Sequence, residues 1–418
     1  MDIPKAKRNV NVRVFSLIII ASIPQKYQNL VLYPKCLSLR CMAGLYIHIP
    51  FCKQACYYCD FFFSTNQGQR LEIVRAIAAE IALQRDYLGG EILETIYFGG
   101  GTPSILSPVE LDEILEAVHR NFSVAEDPEV TLEANPDDLT KEKLQTLFAA
   151  GINRLSVGIQ SFDDTVLKSL NRAHDNLMAK CCIEDARNAG FENISIDLIY
   201  AIPQRSDEDW ERDIYEAIKF SPQHISSYSL TIEEKTVFGK WAKQGKMQPV
   251  DDDLSARQLT LLIDILETAN YEQYEVSNFS KPGFQSRHNS NYWKNKKYLG
   301  IGPSAHSYNA VSRQCNISNN AMYLRSMQQQ KIPFTLEVLS KQDQINEYLL
   351  TTLRTSWGAD LKILREKFLF DPVRENSDYI QSLQVKGLVM IEDDVLKLTR
   401  KGRFLADKIA SDLFVIDR

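Results

Sequence analysis

The sequence has no long apolar run, and no stretch approaches the roughly 18 residues that a membrane-spanning helix needs. Its eight cysteines in 418 residues are too few for a disulfide scaffold. It also lacks an excess of basic residues, because the formal net charge is −6, which argues against a protein coated in nucleic acid. Hydrophobic residues at 44% and charged residues at 24% are ordinary for a globular chain with two or three domains.

Residues 1–41 differ in charge from the rest of the chain. They carry seven Lys or Arg against one acidic residue, a net charge of +6, which leaves −12 for the other 377 residues. A basic start and the apolar run 14–21 resemble a signal peptide, but the run is short and no Ala-x-Ala-like cleavage site follows. We therefore expect a disordered or non-native extension before a true start at Met42, and a cytoplasmic location.

From residue 44 onward, β-rich runs alternate with helical patterns. The predicted strands are 44–50, 95–99, 129–134, 154–160, 193–201 and 224–232, and the predicted helices between them are 69–87, 108–120, 140–150, 176–189 and 207–220. This repeat predicts an α/β fold with a parallel sheet, either an open wound sheet or a complete or partial barrel. In a barrel, functional residues lie at the C-terminal ends of the strands.

The repeat stops near residue 280, and the pattern then changes twice. We expect a barrel over 42–280, a connecting segment over 281–335 and a mainly helical, winged-helix-like domain over 336–418. The last domain is predicted to hold a hairpin at 388–398 and a final helix from Arg400. DNA binding by this domain is disfavoured because it has no dominant basic face, and a lid or docking role is preferred.

Cys52, Cys56 and Cys59 form a C-x3-C-x2-C pattern just after the first predicted strand. Three thiolates on one loop can hold three irons of a [4Fe–4S] cluster and leave the fourth iron free for a small molecule. The alternative is structural zinc, which needs a fourth ligand such as Cys41 or His48.

Glycines and polar residues follow several of the other predicted strands. The segment 99–103 reads Gly-Gly-Gly-Thr-Pro, and glycines allow a backbone to approach a ligand closely. Candidates on or after the next strands are Glu133, Gln160, Arg172 and Asp197. A simple turn, or ordinary polar groups at strand ends, remains the alternative for each residue taken singly.

The segment from Tyr46 to Cys59 resembles the radical S-adenosylmethionine superfamily, and the resemblance extends from residue 44 to the C-terminus. It implies a partial (β/α)6 TIM-like barrel, a [4Fe–4S] cluster on the three cysteines, and S-adenosylmethionine on the fourth iron as the source of a 5′-deoxyadenosyl radical. It also implies that S-adenosylmethionine is bound by Tyr46, Tyr58, Gly100, Gly101, Thr102, Glu133, Gln160, Arg172 and Asp197.

The order of these residues is similar to the coproporphyrinogen oxidase-like branch, which holds two types of protein. The oxygen-independent coproporphyrinogen III oxidase carries a fourth cysteine two residues after the third, where this chain has Phe61. The haem-chaperone type has Phe there, together with a His-Asn-x-x-Tyr-Trp motif that matches residues 288–293. The resemblance therefore favours a chaperone that delivers haem to respiratory haem proteins. Whether the chain is also an enzyme stays open.

The segment 287–308 has residues that suit a porphyrin. His288 could be an axial ligand of haem iron, and Tyr292 and Trp293 offer flat apolar faces. The nearby lysines, Lys294, Lys296 and Lys297, could pair with propionates. The alternative is that His288 only orders a loop and that the lysines are a solvated surface. Weaker candidates for the iron ligand are Cys181, Cys182 and Cys315, while His306 could belong to the cofactor site.

The expected partners follow from the resemblance. They are haem and acceptor haem proteins, with a homodimer and peripheral contact with a membrane surface as further hypotheses. No nucleic-acid partner is expected.

Overall fold

A computed structural model describes residues 42–416 of the chain. The predictions about residues 1–41, and Cys41 as a zinc ligand, lie outside these described residues. Within them, no helix is long and apolar enough to cross a membrane.

Six parallel strands form the centre of the structure. They pair in sequence order and are β1(Met42–Ile49), β2(Ile92–Gly100), β3(Val124–Ala134), β4(Arg154–Gln160), β5(Asn193–Tyr200) and β6(His224–Ser229). β1 and β6 do not pair with each other, since each has a different outer neighbour. The sheet is therefore an open, partial barrel, and the predicted α/β fold and strand positions are confirmed.

Helices connect these strands and cover the outside of the sheet. They are α1(Arg70–Leu83), α2(Pro108–Asn121), α3(Lys141–Ala149), α4(Asp164–Ser169), α5(Asn176–Asn188) and α6(Asp207–Lys219). Local sequence fixes where they begin. Ser107 and Ser206 form capping boxes with the third residues of α2 and α6, which satisfies backbone N–H groups that the helix cannot pair. Their apolar faces and the sheet form one large hydrophobic core.

The sheet continues beyond residue 280, where only a connecting segment was expected. Before that point the chain adds α7(Val237–Lys243), α8(Asp252–Thr268), β7(Glu272–Glu275) and β8(Asn278–Ser280). Beyond it lie α9(Arg287–Trp293), β9(Tyr298–Ile301), β10(His306–Tyr308), β11(Ser312–Asn316), α10(Asn320–Met327) and β12(Phe334–Val338). β9 pairs with β1, and β10, β11 and β12 extend the sheet to a free edge. The expected boundary at 335/336 therefore falls inside β12.

The C-terminal domain has a hydrophobic core of its own. Its elements are α11(Lys341–Leu353), β13(Ala359–Asp360), α12(Leu361–Phe368), α13(Pro372–Glu375), α14(Ser377–Val385), β14(Val389–Glu392), β15(Val395–Leu398), α15(Arg400–Arg403) and α16(Ala406–Asp412). The hairpin between β14 and β15 turns through Asp393 and Asp394, both with positive φ, as the tight turn of a two-residue hairpin requires. The predicted helices, hairpin and final helical segment are all present.

Candidate cofactor site

The three cysteines lie on the loop that leaves β1 at the C-terminal edge of the barrel. All three are partly buried and line one cavity of about 470 Å³. The loop is held to the barrel by hydrogen bonds between the backbones of Cys52 and Ser64 and of Ser64 and Pro50. The cavity therefore opens where a parallel barrel places its functional residues.

Two side chains from the barrel contact the sulfur atoms directly. Thr102 Oγ1 donates a hydrogen bond to Cys52 Sγ at 3.2 Å, and Arg172 Nη1 donates to Cys56 Sγ at 3.3 Å. Burial raises the pKa of Cys52 to about 11 and that of Cys59 to about 12. These thiols therefore stay protonated until a metal replaces their protons, and the donated hydrogen bonds suit thiolates that are bound to iron.

The three cysteines do not form a ready site for one metal ion in this structure. Across residues 42–416, no three His, Cys, Asp or Glu side chains come together closely enough to hold one metal ion. A zinc ion draws every thiolate to about 2.3 Å from one point, whereas each thiolate of a [4Fe–4S] cluster binds a different iron. His48, one alternative zinc ligand, has Nε2 bonded to the Phe62 carbonyl and Nδ1 bonded to the Tyr46 hydroxyl. It offers no free nitrogen to the cysteines.

The glycine segment after β2 forms a wall of the cavity, and the protein behind it leaves no room for side chains. A Cβ on Gly100 would lie 2.5 Å from the His48 ring, and the residue has a φ of +104°. A Cβ on Gly101 would lie 2.6 Å from the Phe51 carbonyl oxygen. The next backbone amide, that of Thr102, donates to the same carbonyl at 2.7 Å. Only glycine fits at these positions, and the bare backbone faces the cavity as a close-fitting ligand requires.

Two partly buried carboxylates line the cavity, Glu133 on β3 and Asp197 on β5, with β4 between them. Glu133 accepts hydrogen bonds from the Tyr97 hydroxyl at 2.7 Å and from the Gly100 amide at 3.2 Å. Burial raises the pKa of Glu133 to about 7, and the nearby Asp197 adds to the increase. Burial likewise raises the pKa of Asp197 to about 6. Such carboxylates can accept hydrogen bonds from the hydroxyl groups of a ligand.

The remaining predicted residues divide into two groups. Tyr58, Gln160 and Arg172 line the cavity with the others. Arg172 is fixed there by hydrogen bonds to the Gly158 carbonyl at 2.6 Å and to Asn135 Oδ1 at 2.7 Å. Tyr46 is not among the lining residues; its ring stacks on Tyr97 at 6.1 Å, one layer below the cavity.

The structure adds lining residues that the sequence analysis did not select. Asn135 joins the two sulfur-contacting side chains, since it donates to Thr102 Oγ1 at 3.2 Å and accepts from Arg172. Ser156 and Ser226 lie opposite the two carboxylates in the parallel register. Strand alternation could have identified both serines, because opposed residues of paired strands face the same side of the sheet.

His288 is buried in the protein interior and is not accessible from solvent. The ring is 1% exposed, Nδ1 is 2.8 Å from Thr95 Oγ1, and Nε2 is 2.6 Å from the Tyr292 hydroxyl. Burial lowers the pKa of His288 to about 3, so the ring is neutral. Both nitrogens are hydrogen-bonded within the protein, as the alternative expects, and a role of His288 as an iron ligand stays a prediction.

The other residues expected at haem are also engaged within the protein. Trp293 lies under the Arg354 guanidinium, 5.5 Å from the ring centre. Lys296 and Lys297 form ion pairs with Glu94 and Glu91, and Lys294 lies over the Trp357 ring. These contacts join the segment to β2 and to the C-terminal domain, so the lysines are not free to pair with propionates in this conformation.

Two family profiles and several known proteins are similar to this chain. A profile of the Radical SAM superfamily matches residues 46–215, and a profile of the HemN C-terminal domain matches residues 339–405. Heme chaperone HemW from Bacillus subtilis is 35% identical over 378 residues, which are 88% of this chain and 98% of that protein. The Lactococcus lactis protein of the same name is 36% identical, with 89% of this chain and 97% of that protein covered.

The chain belongs to the HemW family. It is also 30% identical to the bovine mitochondrial protein named radical S-adenosyl methionine domain-containing protein 1, over 89% of this chain and 87% of that one. Among solved structures, coproporphyrinogen III oxidase HemN from Escherichia coli superposes with a TM-score of 0.77 over 90% of each chain. Its sequence identity is 22%, so that likeness shows the shared fold.

Proposed function

We propose that this chain is a haem chaperone that binds a [4Fe–4S] cluster, S-adenosylmethionine and haem, and passes haem to acceptor haem proteins of the respiratory chain. The observation that carries the proposal is Phe61. It stands where the oxidase type has a fourth cysteine, it lines the cofactor cavity, and 69% of its surface is exposed. The names of the family members, heme chaperone HemW, agree with this choice.

The cavity supports the cofactor part of the proposal through its own donors and acceptors. Cys52, Cys56 and Cys59 would hold the cluster, which when bound supplies the electron for cleavage of S-adenosylmethionine. Thr102 and Arg172 would donate hydrogen bonds to the sulfur ligands, as they do in the structure. The glycine wall would exclude water from one side of the ligand, and the backbone there would lie against it.

The carboxylates would position the rest of S-adenosylmethionine. Glu133 on β3 and Asp197 on β5 line the same cavity and can accept hydrogen bonds from ribose hydroxyls. Arg172 Nε is buried without a protein partner, so a bound ligand or an ordered water could satisfy it. A few precisely placed polar groups are what orients a small molecule in its site.

The alternative function is oxygen-independent coproporphyrinogen III oxidation. The intact cofactor cavity and the fold shared with HemN favour it. The missing fourth cysteine opposes it, since the other described cysteines, Cys181, Cys182 and Cys315, are not among the residues that line the cavity. The chaperone is therefore the preferred function, and cytoplasmic location, dimerisation and membrane contact stay predictions of the same proposal.

Haem loading followed by transfer tests the proposal. The full chain, with its cluster reconstituted under anaerobic conditions, is titrated with haem and then mixed with the haem-free form of a b-type cytochrome. We expect one haem per chain, and a Soret band that changes to that of the cytochrome as haem moves. A chain that binds no stoichiometric haem, or that never releases it to the cytochrome, contradicts the proposal.

A further inference from the structure

The six histidines of the chain differ sharply in exposure. His48, His174, His224 and His288 are each 5% exposed or less. The two exposed ones lie in different places: His119 on the outer helix α2, and His306 on β10. A haem that enters from solvent needs an accessible ligand, so His306 is the histidine of the sheet that can serve.

His306 stands beside a second group that binds iron. Its Nε2 lies 3.4 Å from Sγ of Cys315, which is directly opposite on the antiparallel strand β11. Imidazole and thiolate are both standard axial ligands of haem iron. At this separation either atom can reach the same iron with a change of side-chain rotamer only.

The strand register places this pair on the inner face of the barrel. Tyr46 of β1 lies opposite Gly300 of β9, and Tyr308 of β10 lies opposite Tyr298 of β9. Counting two residues back along β10 sets His306 across from Gly300, in the same row as Tyr46. Glycine is needed at this position, because the His306 backbone lies where a Cβ of Gly300 would stand.

A continuous series of aromatic rings joins the pair to the cofactor cavity. Tyr97 lines the cavity and stacks on His288 at 4.8 Å; His288 contacts Tyr292 at 5.0 Å, and Tyr292 contacts Tyr298 at 4.6 Å. Tyr298 then contacts Tyr308 at 6.1 Å, two residues from His306. In this arrangement, the His-Asn-x-x-Tyr-Trp motif builds an aromatic wall beside the pair.

The sheet edge next to the pair is open. β12, the last strand, is exposed along its whole length, and Thr335 continues the row of His306 and Cys315. Arg313 lies on the same face as Cys315, where its ion pair with Glu347 fixes the side chain beside the edge. A ligand can therefore reach the pair from the edge and leave by the same route.

We propose that haem iron binds at the His306–Cys315 pair, with His306 Nε2 as the axial ligand and Cys315 as the neighbouring alternative. This inference rests on the proposed function, because it names the site of the haem that a chaperone carries. It makes His288 a positioning residue that supports the site through the aromatic wall.

Haem titration of full-length variants tests the site. We expect His306→Ala to weaken haem affinity at least tenfold, or to shift the Soret band as the Cys315 thiolate takes over. The double variant His306→Ala/Cys315→Ser should lose stoichiometric binding. His119→Ala is the matched control, an exposed histidine outside the sheet, and should bind haem as wild type does. Cluster iron content and far-UV circular dichroism show that each variant is folded.

The outcomes separate the two proposals. Wild-type affinity and spectrum in the double variant overturn this site while the chaperone function stands. Loss of binding in His288→Ala with an intact fold, and not in His306→Ala, also overturns it and returns the iron to His288. No haem binding by the wild-type chain overturns both proposals.

Discussion

Arg172 donates a hydrogen bond to Cys56 Sγ across 3.3 Å, although the two residues are 116 positions apart in the sequence. The guanidinium is buried and held in place by Gly158 and Asn135. A fixed positive charge beside a sulfur ligand stabilises the reduced form of an iron–sulfur cluster, which carries one more negative charge.

Replacement of Arg172 should therefore make the cluster harder to reduce. We expect Arg172→Gln to move the reduction potential of the reconstituted cluster to more negative values by roughly 60 mV, equivalent to a tenfold change in the equilibrium constant. Redox titration followed by electron paramagnetic resonance measures this potential. Arg187→Gln is the control, because Arg187 bonds backbone carbonyls at the end of α5. An unchanged potential in Arg172→Gln argues against this electrostatic role.

The cysteine ligands can be tested one at a time. We expect Cys52→Ser, Cys56→Ser and Cys59→Ser each to lose most of the iron, the sulfide and the broad visible absorbance of the cluster, because three thiolates hold three different irons. Cys181→Ser, which changes an exposed cysteine on α5, should keep all three signals. Full iron and sulfide content in the first three variants would refute the ligand assignment.

The buried carboxyl of Glu133 should make stability depend on pH. Burial raises its pKa to about 7, so its favourable contribution to folding is present below the unfolded pKa of about 4.3 and is lost as the pH rises through 7. In the absence of S-adenosylmethionine, we expect the melting temperature of Glu133→Gln to exceed that of wild type by on the order of 2–4 °C at pH 8. The difference should be smaller at pH 5.

Thermal unfolding at the two pH values measures this difference. Glu184→Gln makes the same change at an exposed position of α5 and should melt at the wild-type temperature at both pH values. If the melting-temperature difference between Glu133→Gln and wild type is equal at the two pH values, or larger at pH 5, the raised pKa of Glu133 is contradicted.

The glycine wall should not tolerate a methyl group. Gly100→Ala combines a positive φ with a Cβ only 2.5 Å from the His48 ring, so we expect a loss of about 2 kcal/mol or more in the free energy of unfolding. Gly151→Ala has a similar positive φ of +90° but no atom within 4 Å of the added Cβ, and should lose about 1 kcal/mol. Urea unfolding measures both free energies. If the two variants lose equal free energy of unfolding, contact with His48 does not contribute to the destabilisation.

Much of the barrel and its site could be predicted from sequence because the signals are local. The runs that became β1 to β6 are apolar and end in glycine or polar residues, so strand ends such as Glu133 and Gln160 could be placed. The cysteine spacing lies within one loop. The predicted cavity residues therefore come together in the structure, with the exception of Tyr46.

The parts that sequence reasoning missed depend on distant contacts. β9 to β12 are only three to five residues long, too short for a periodic sequence pattern. The pairing of β9 with β1 joins residues about 250 positions apart. His288 illustrates the same limit for a site. Its motif resembles that of a haem-binding segment, but its burial depends on Thr95 of β2, which lies 193 positions away.

The most direct test of the central claim is an anaerobic assay of the reconstituted chain with S-adenosylmethionine, a reductant and coproporphyrinogen III. Mass spectrometry measures 5′-deoxyadenosine and protoporphyrinogen in the same sample. We predict 5′-deoxyadenosine without decarboxylated porphyrinogen, because the three cysteines line the cavity with the residues proposed for S-adenosylmethionine and Phe61 replaces the fourth cysteine. Formation of protoporphyrinogen over many turnovers would show that the chain is an oxidase and would contradict the chaperone function.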